Sequence, residues 1–252
     1  MLRTVLLACV ALLMPHAAAA ACDGTRGATG AVTLNVGGTI RAFVVRAASA
    51  VDGRTPAPVL VVLHPFGMNA QYMESRVSIR LWPAALMIYP EGLSRAWQTR
   101  PGEGDDRDLR FFDALLAWLE EHHCIDQTRV FVLGYSNGAG LASLLACERP
   151  QAIAGAAMAA GRLGCEPRTA LPVAIGHGLR DATTPYDHAV GASRIWATRN
   201  ACSSPPRPGT VGCTVAEGCG ERTPVLLCTS AGGHEYSSGF TRPALELFQQ
   251  VR

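Results

Sequence analysis

Gly134-Tyr135-Ser136-Asn137-Gly138 sets a serine between two glycines. The apolar run Val130-Phe131-Val132-Leu133 precedes it and the small-residue stretch Ala139-Gly140-Leu141-Ala142 follows. Strand, sharp turn, then helix is the context in which a G-x-S-x-G segment forms a nucleophile elbow. Serine is a weak nucleophile until a base takes its proton, and a carboxylate must orient that base. Three histidines stand downstream of Ser136: His177, His188 and His234. His234 follows Gly232-Gly233, after the last expected strand and before the last expected helix, which is the slot for the base. His177 ends a strand and His188 falls in an expected helix, so both read as structural. Asp181, in His177-Gly178-Leu179-Arg180-Asp181, is the expected acid, with Asp187 a rival placed like a helix N-cap.

Ester chemistry also needs donors for an oxyanion. The backbone N–H of Asn137 follows the nucleophile and is one expected donor. The second is expected from the loop His64-Pro65-Phe66-Gly67. Pro65 has no N–H, which leaves Phe66, with Gly67 behind it. Trp97 follows an expected strand and is expected to line the cleft. Asp105, Asp106 and Asp108 read as the acidic start of a helix rather than a metal site. The cysteines form no paired C-x-x-C knuckles. The reading therefore contains no metal and no cofactor.

The elements that must position these residues alternate. A hairpin is expected over 31–36 and 40–46, turning at Gly37-Gly38. Val59–Leu63 is a continuous apolar run, as in a strand buried on both faces. Asn69 can cap a helix running to about Ser78. A short strand follows over 85–89. Leu109, Phe112, Leu115, Leu116 and Leu119 recur at helical spacing. After the elbow helix, strands are expected at 153–159, 172–175 and 225–228, and helices at 187–200 and 240–251. Residues 202–223, rich in Cys, Pro and Gly, read as a disulfide-pinned loop. Alternation of this kind implies a mostly parallel sheet with helices on both faces. Ligand sites in such sheets lie at the carboxyl ends of the strands, where Ser136, Asp181 and His234 all fall.

Arg3, the apolar core Val5–Met14 and the small residues up to Ala21 read as a secretory signal peptide over 1–21. That apolar run is too short to span a bilayer, and no membrane anchor is expected. Residues 22–252 are long enough for a single α/β domain. Of nine cysteines, Cys9 lies in the leader. The remaining eight, Cys22, Cys124, Cys147, Cys165, Cys202, Cys213, Cys219 and Cys228, are an even set in an exported chain, and up to four disulfides are expected. A net charge of +2 with both signs scattered gives no nucleic-acid surface.

Val130–Ala142, the His177–Tyr186 block and the Gly232-Gly233-His234 loop together resemble the secreted polyhydroxybutyrate depolymerase and feruloyl esterase family of α/β-hydrolases. That family typically shows a G-x-S-N-G-G elbow, an H-G-x-x-D-x-x-x-P-Y block and a G-G-G-H-x-W-P loop. Asp108 through Phe111 to Ile125-Asp126-Gln127-Thr128-Arg129-Val130 resembles its D-D-x-x-F … I-D-x-x-R-V stretch. The similarity runs from about Pro58 to the C-terminus, and it implies a triad of Ser136, Asp181 and His234. The chain departs from the pattern at His64-Pro65, where the family has His-Gly, and at Arg107, where it has an acid. It departs again at Glu235-Tyr236-Ser237, where the family has Trp-Pro. The resemblance makes that last segment part of the cleft and Tyr236 a substrate-contact candidate.

The expectation is an α/β-hydrolase fold and a secreted, monomeric serine carboxylic ester hydrolase working through an acyl-enzyme. Its substrate partner is a polyester or hydroxyalkanoate oligomer, or a feruloyl or acetyl polysaccharide ester. The alternatives are a prolyl-oligopeptidase-type peptidase and an inactive hydrolase fold used for binding.

Overall fold

The computed structural model describes residues 22–210, 212–220 and 223–251. The expected signal peptide at 1–21 lies outside them. Five α-helices, three short 3₁₀ helices and ten strands are described, all ten strands in one sheet, ordered β1-β2-β4-β3-β5-β6-β7-β10-β9-β8. The central six, β4 (Leu86–Pro90), β3 (Ala57–Leu63), β5 (Ile125–Tyr135), β6 (Gly155–Ala159), β7 (Val173–Gly178) and β10 (Val225–Ser230), pair in parallel. The hairpin of β1 (Gly30–Val36) and β2 (Thr39–Ala47) extends one edge antiparallel.

Every residue of β3 is buried. Successive side chains leave opposite faces of a strand. Val59, Val61 and Leu63 therefore join one apolar cluster, packed with Leu115 of α2 (Arg107–His122), Leu141 of α3 (Asn137–Glu148) and Trp196 of α4 (Asp187–Arg199). Leu60 and Val62 join a second cluster, with Met73 of α1 (Ala70–Glu74) and Phe248 of α5 (Ser238–Gln249). Helices thus cover both faces. β3 pairs with β4 on one side and β5 on the other, so the chain reverses its winding direction between β3 and β5. A crevice opens at the carboxyl ends of such a strand pair. The Phe66 loop and Ser136 follow those two strands.

Two expectations need correction. α1 is short: Asn69 does cap it, its Oδ1 accepting from the Tyr72 N–H at 3.0 Å, but the helix ends at Glu74. Residues 202–223 are not simply a loop. They hold β8 (Ser204–Pro208) and β9 (Cys213–Glu217), which pair with each other antiparallel, β9 also pairing with β10. β8 is the outermost strand, where a missing proline N–H on the side away from β9 costs no ladder bond.

All eight expected cysteines are joined, as Cys22–Cys124, Cys147–Cys165, Cys202–Cys219 and Cys213–Cys228. The first spans 102 residues and the others 18, 17 and 15. Cross-linking removes more freedom from the unfolded chain as the closed loop lengthens. The Cys22→Ala/Cys124→Ala protein should therefore lose about 2–4 kcal/mol of stability in equilibrium denaturation. A loss no larger than that for the Cys202–Cys219 pair would refute the loop-length argument.

Candidate active site

The elbow is built by backbone strain and close packing. Ser136 sits at φ 54° and ψ −115°, a left-handed conformation for a residue with a side chain. Such strain persists only where the surroundings over-determine it. Here the Ser136 N–H donates to the Ala159 carbonyl at 2.8 Å and the Ser136 carbonyl accepts from Gly140 at 3.1 Å. The flanking glycines are sterically required. A Cβ on Gly134 would lie 2.1 Å from the Gly138 carbonyl oxygen, and one on Gly138 would lie 2.4 Å from that of Leu63.

Ser136, His234 and Asp181 come together from three separate loops. Ser136 Oγ lies 2.8 Å from His234 Nε2, and His234 Nδ1 lies 2.8 Å from Asp181 Oδ2. The other carboxylate oxygen of Asp181 accepts from the N–H groups of Thr183 at 2.9 Å and Thr184 at 2.7 Å. Burial works to raise the Asp181 pKa. The Thr184 and Thr183 amides and the His234 ring outweigh it and hold the carboxyl below its ordinary range. An ionised Asp181 opposite Nδ1 favours the tautomer whose bare Nε2 faces the serine. The rival Asp187 is exposed at the start of α4.

Asn137 opens α3, where the first N–H groups of a helix lack internal partners. Neither its N–H nor that of Phe66 is bonded among the described residues, whereas the Gly67 N–H is taken by the Arg95 carbonyl at 2.8 Å. Two unengaged donors thus stand on the loops after β3 and β5. The Phe66 side chain is 71% exposed, so it is not a core residue.

Trp97 departs from the expectation. It is buried rather than part of the cleft wall, and its indole N–H donates to the His64 carbonyl at 2.9 Å. Its backbone clamps the side chain of Asn137: the Trp97 N–H donates to Asn137 Oδ1 at 2.7 Å, and Asn137 Nδ2 donates to the Trp97 carbonyl at 3.0 Å. Tyr236 is half-buried, its ring edge-on to Tyr135 and its hydroxyl 2.8 Å from Thr241 Oγ1.

Three residues brace the site: Tyr135 and His64, which the sequence did not signal, and His177, which it marked as structural. The Tyr135 hydroxyl donates to the His234 carbonyl, tying the elbow to the loop of the base. His177 Nε2 donates to the Thr184 carbonyl at 2.6 Å and lies 3.2 Å from Asp181 Oδ2, bracing the loop that carries the acid. His64 is fully buried, its Nδ1 donating to the Pro65 carbonyl at 2.9 Å and its Nε2 accepting from the Gly92 N–H at 2.9 Å. It fixes the His64-Pro65 turn.

Burial depresses the His64 pKa, against the opposing pull of the Pro65 carbonyl and Glu91. The folded state therefore prefers the neutral ring, while the unfolded chain takes up a proton near pH ~6.5. The stability from a neutral His64 is complete above that pH and shrinks as pH falls below it. Denaturation midpoints measured between pH 7.5 and 5 should fall for the wild type and fall less steeply for His64→Gln. Some slope should remain, because His123 is depressed by burial in the same direction.

Beside Ser136 and Asn137 lies a cleft of about 240 Å³, walled by Thr99, Arg100, Ala160, Arg162 and Thr184 among others. A larger groove of about 440 Å³, bounded by Glu166, Pro167 and α4, holds none of the triad. The triad decides which of the two is the candidate site. Asp105, Asp106 and Asp108 have protein partners: Arg110, Gln98 with the Gly102 N–H, and Arg41.

No protein-family model matches the chain. Among characterised proteins it is similar to feruloyl esterase C of Emericella nidulans, 28% identical over 210 residues, covering 77% of this chain and 76% of that protein. It is also similar to feruloyl esterase B of Piromyces equi, 27% identical over 232 residues, covering 79% of this chain and 43% of that protein. Among solved structures, an acetyl xylan esterase from Aspergillus awamori superposes with a TM-score of 0.70 at 14% identity, over 87% of this chain and 99% of that one. A ferulic acid esterase from Anaeromyces mucronatus, solved with ferulic acid, superposes with a TM-score of 0.63 at 14% identity, over 91% and 92%. At such identities the structural likeness carries the fold, an α/β-hydrolase, and no more.

Proposed function

We propose, from the chain's kinship with the feruloyl esterases among α/β-hydrolases, that it is a secreted serine carboxylic ester hydrolase acting on feruloyl or acetyl esters of plant polysaccharide. The observation that carries the reading is the continuous path from Ser136 Oγ through His234 to Asp181, with 2.8 Å at each step.

Ser136 Oγ attacks the ester carbonyl carbon as His234 Nε2 takes its proton. The carbonyl oxygen becomes an oxyanion, received by the N–H groups of Asn137 and Phe66. The tetrahedral intermediate collapses, His234 passes the proton to the leaving alcohol oxygen, and an acyl-enzyme remains on Ser136. Water enters, gives a proton to His234 and attacks the acyl carbon. Collapse releases the acid, and His234 returns the proton to Ser136. Asp181 stays ionised throughout, holding the imidazole and offsetting its positive charge. Serine-based acyl transfer of this kind uses no cofactor.

Four disulfides, which persist in oxidising compartments, support secretion, as does the leader expected over residues 1–21. Residues 22–252 form the single catalytic domain, acting as a monomer. Polyester and hydroxyalkanoate oligomers are the competing substrate class, and the feruloyl esterase relatives weigh against them.

A hydrolysis panel of methyl ferulate, acetylated xylan, hydroxybutyrate oligomers and p-nitrophenyl esters tests this reading. Turnover of methyl ferulate or acetylated xylan above the oligomers supports it. Turnover of hydroxybutyrate oligomers alone would replace the substrate class. Failure on every ester would remove the hydrolase.

A further inference from the structure

The cleft beside Ser136 carries two positive charges and no negative one. Arg100 and Arg162 both line it, and no acid does. Neither guanidinium has an ion-pair or hydrogen-bond partner among the described residues. Both are exposed at the cleft, whereas Arg41, Arg46 and Arg149, which are buried or half-buried, are held by Asp108, Glu74 and Asp113. Glu103, close to Arg100 in the chain, has its carboxylate on the Thr99 N–H at 2.8 Å instead. Thr99 and Thr184 also line the cleft.

Guanidinium groups present planar, forked donors that match a carboxylate two bonds at a time. A concave site lined by one sign of charge focuses the field and concentrates ligands of the other sign. The cleft measures about 240 Å³ and opens to solvent. Resting on the esterase reading, we infer that among polysaccharide esters this cleft favours those carrying a free carboxylate a few bonds from the scissile carbonyl, with Arg100 and Arg162 as its receptors.

The test compares mono-p-nitrophenyl glutarate with its neutral methyl ester. At low ionic strength the wild type should favour the anionic ester about tenfold in kcat/KM. Salt should narrow the ratio, because exposed charges are screened. In the Arg100→Ala/Arg162→Ala protein the ratio should fall to about one. Arg162→Glu should lower it further and raise turnover of a p-nitrophenyl ester bearing a trimethylammonium group, a gain that misfolding cannot imitate. A wild-type ratio of one or below overturns the inference while leaving the esterase reading intact. Glutarate titrated into the unreacted protein gives a readout independent of turnover. Saturable binding lost in the double variant upholds the anion site even if no ester is hydrolysed, and absence of binding overturns it.

Discussion

The Ser136→Ala protein should turn over an activated p-nitrophenyl ester more slowly by a factor on the order of 10⁴–10⁶. The substitution removes the proposed nucleophile and keeps the backbone bonds that hold the loop. The bonds that shape the elbow, Ser136 N–H to Ala159 and Gly140 N–H to Ser136, belong to the backbone and survive. One side-chain bond is lost, that to His234 Nε2 at 2.8 Å. The melting temperature should therefore hardly change. Ser136→Gly should be as inactive and the more stable of the two, since glycine relieves a φ of 54° that otherwise costs on the order of 1–3 kcal/mol. Residual activity above about 1% of wild type in the alanine variant, beyond the loss an intact triad accounts for, would move the nucleophile elsewhere. If both variants melted well below the wild type, the serine side chain would be part of the scaffold instead.

The residues with local signatures could be read from the chain. The glycines at 134 and 138 announce a turn because their contacts lie within a few residues or with the preceding parallel strand. The all-buried β3 announces itself as an unbroken apolar run. The β8–β9 pair was not legible, because Pro205, Pro206 and Pro208 argue against a strand until the segment is known to be an edge. Trp97 was misplaced for a different reason. Its position after a strand suggested the cleft, but an indole N–H is satisfied in the core if a carbonyl is offered, and His64 offers one. The bracing of the Asp181 loop by His177 and of the His64-Pro65 turn by Gly92 depends on imidazole rings meeting backbone groups across loops, which no spacing rule encodes.

The largest stability loss from a single substitution is expected at Asp108, far from any bond-making atom. Asp108 Oδ1 accepts from Arg41 Nη2 at 2.7 Å, with both side chains at 2% exposure or less. Its Oδ2 accepts from the Gln98 N–H at 2.7 Å, and Gln98 Oε1 accepts in return from the Asp108 N–H at 2.8 Å. Burial lowers the Arg41 pKa and Asp108 opposes that fall. Arg41 also lies 4.0 Å above the Phe111 ring, an apolar neighbourhood in which an unpaired cation is costly. Asp108→Ala strands the guanidinium and leaves the Gln98 N–H without its acceptor. A buried pair broken on one side costs about 3–5 kcal/mol, equivalent here to a melting-temperature drop on the order of 10 °C. Asp108→Asn keeps one acceptor oxygen and should cost less. Arg41→Met combined with Asp108→Asn should be milder than Asp108→Ala, because it removes the stranded charge. The damage should also reach the elbow: Gln98 adjoins Trp97, and Trp97 clamps the Asn137 side chain from both its N–H and its carbonyl. Asp108→Asn should accordingly lower kcat several-fold with KM little changed, if the clamp acts through the Asn137 N–H proposed to receive the oxyanion. A fall in stability with kcat untouched would break the link from the buried ion pair to the elbow, and an Asp108→Ala protein as stable as wild type would deny the pair any structural weight.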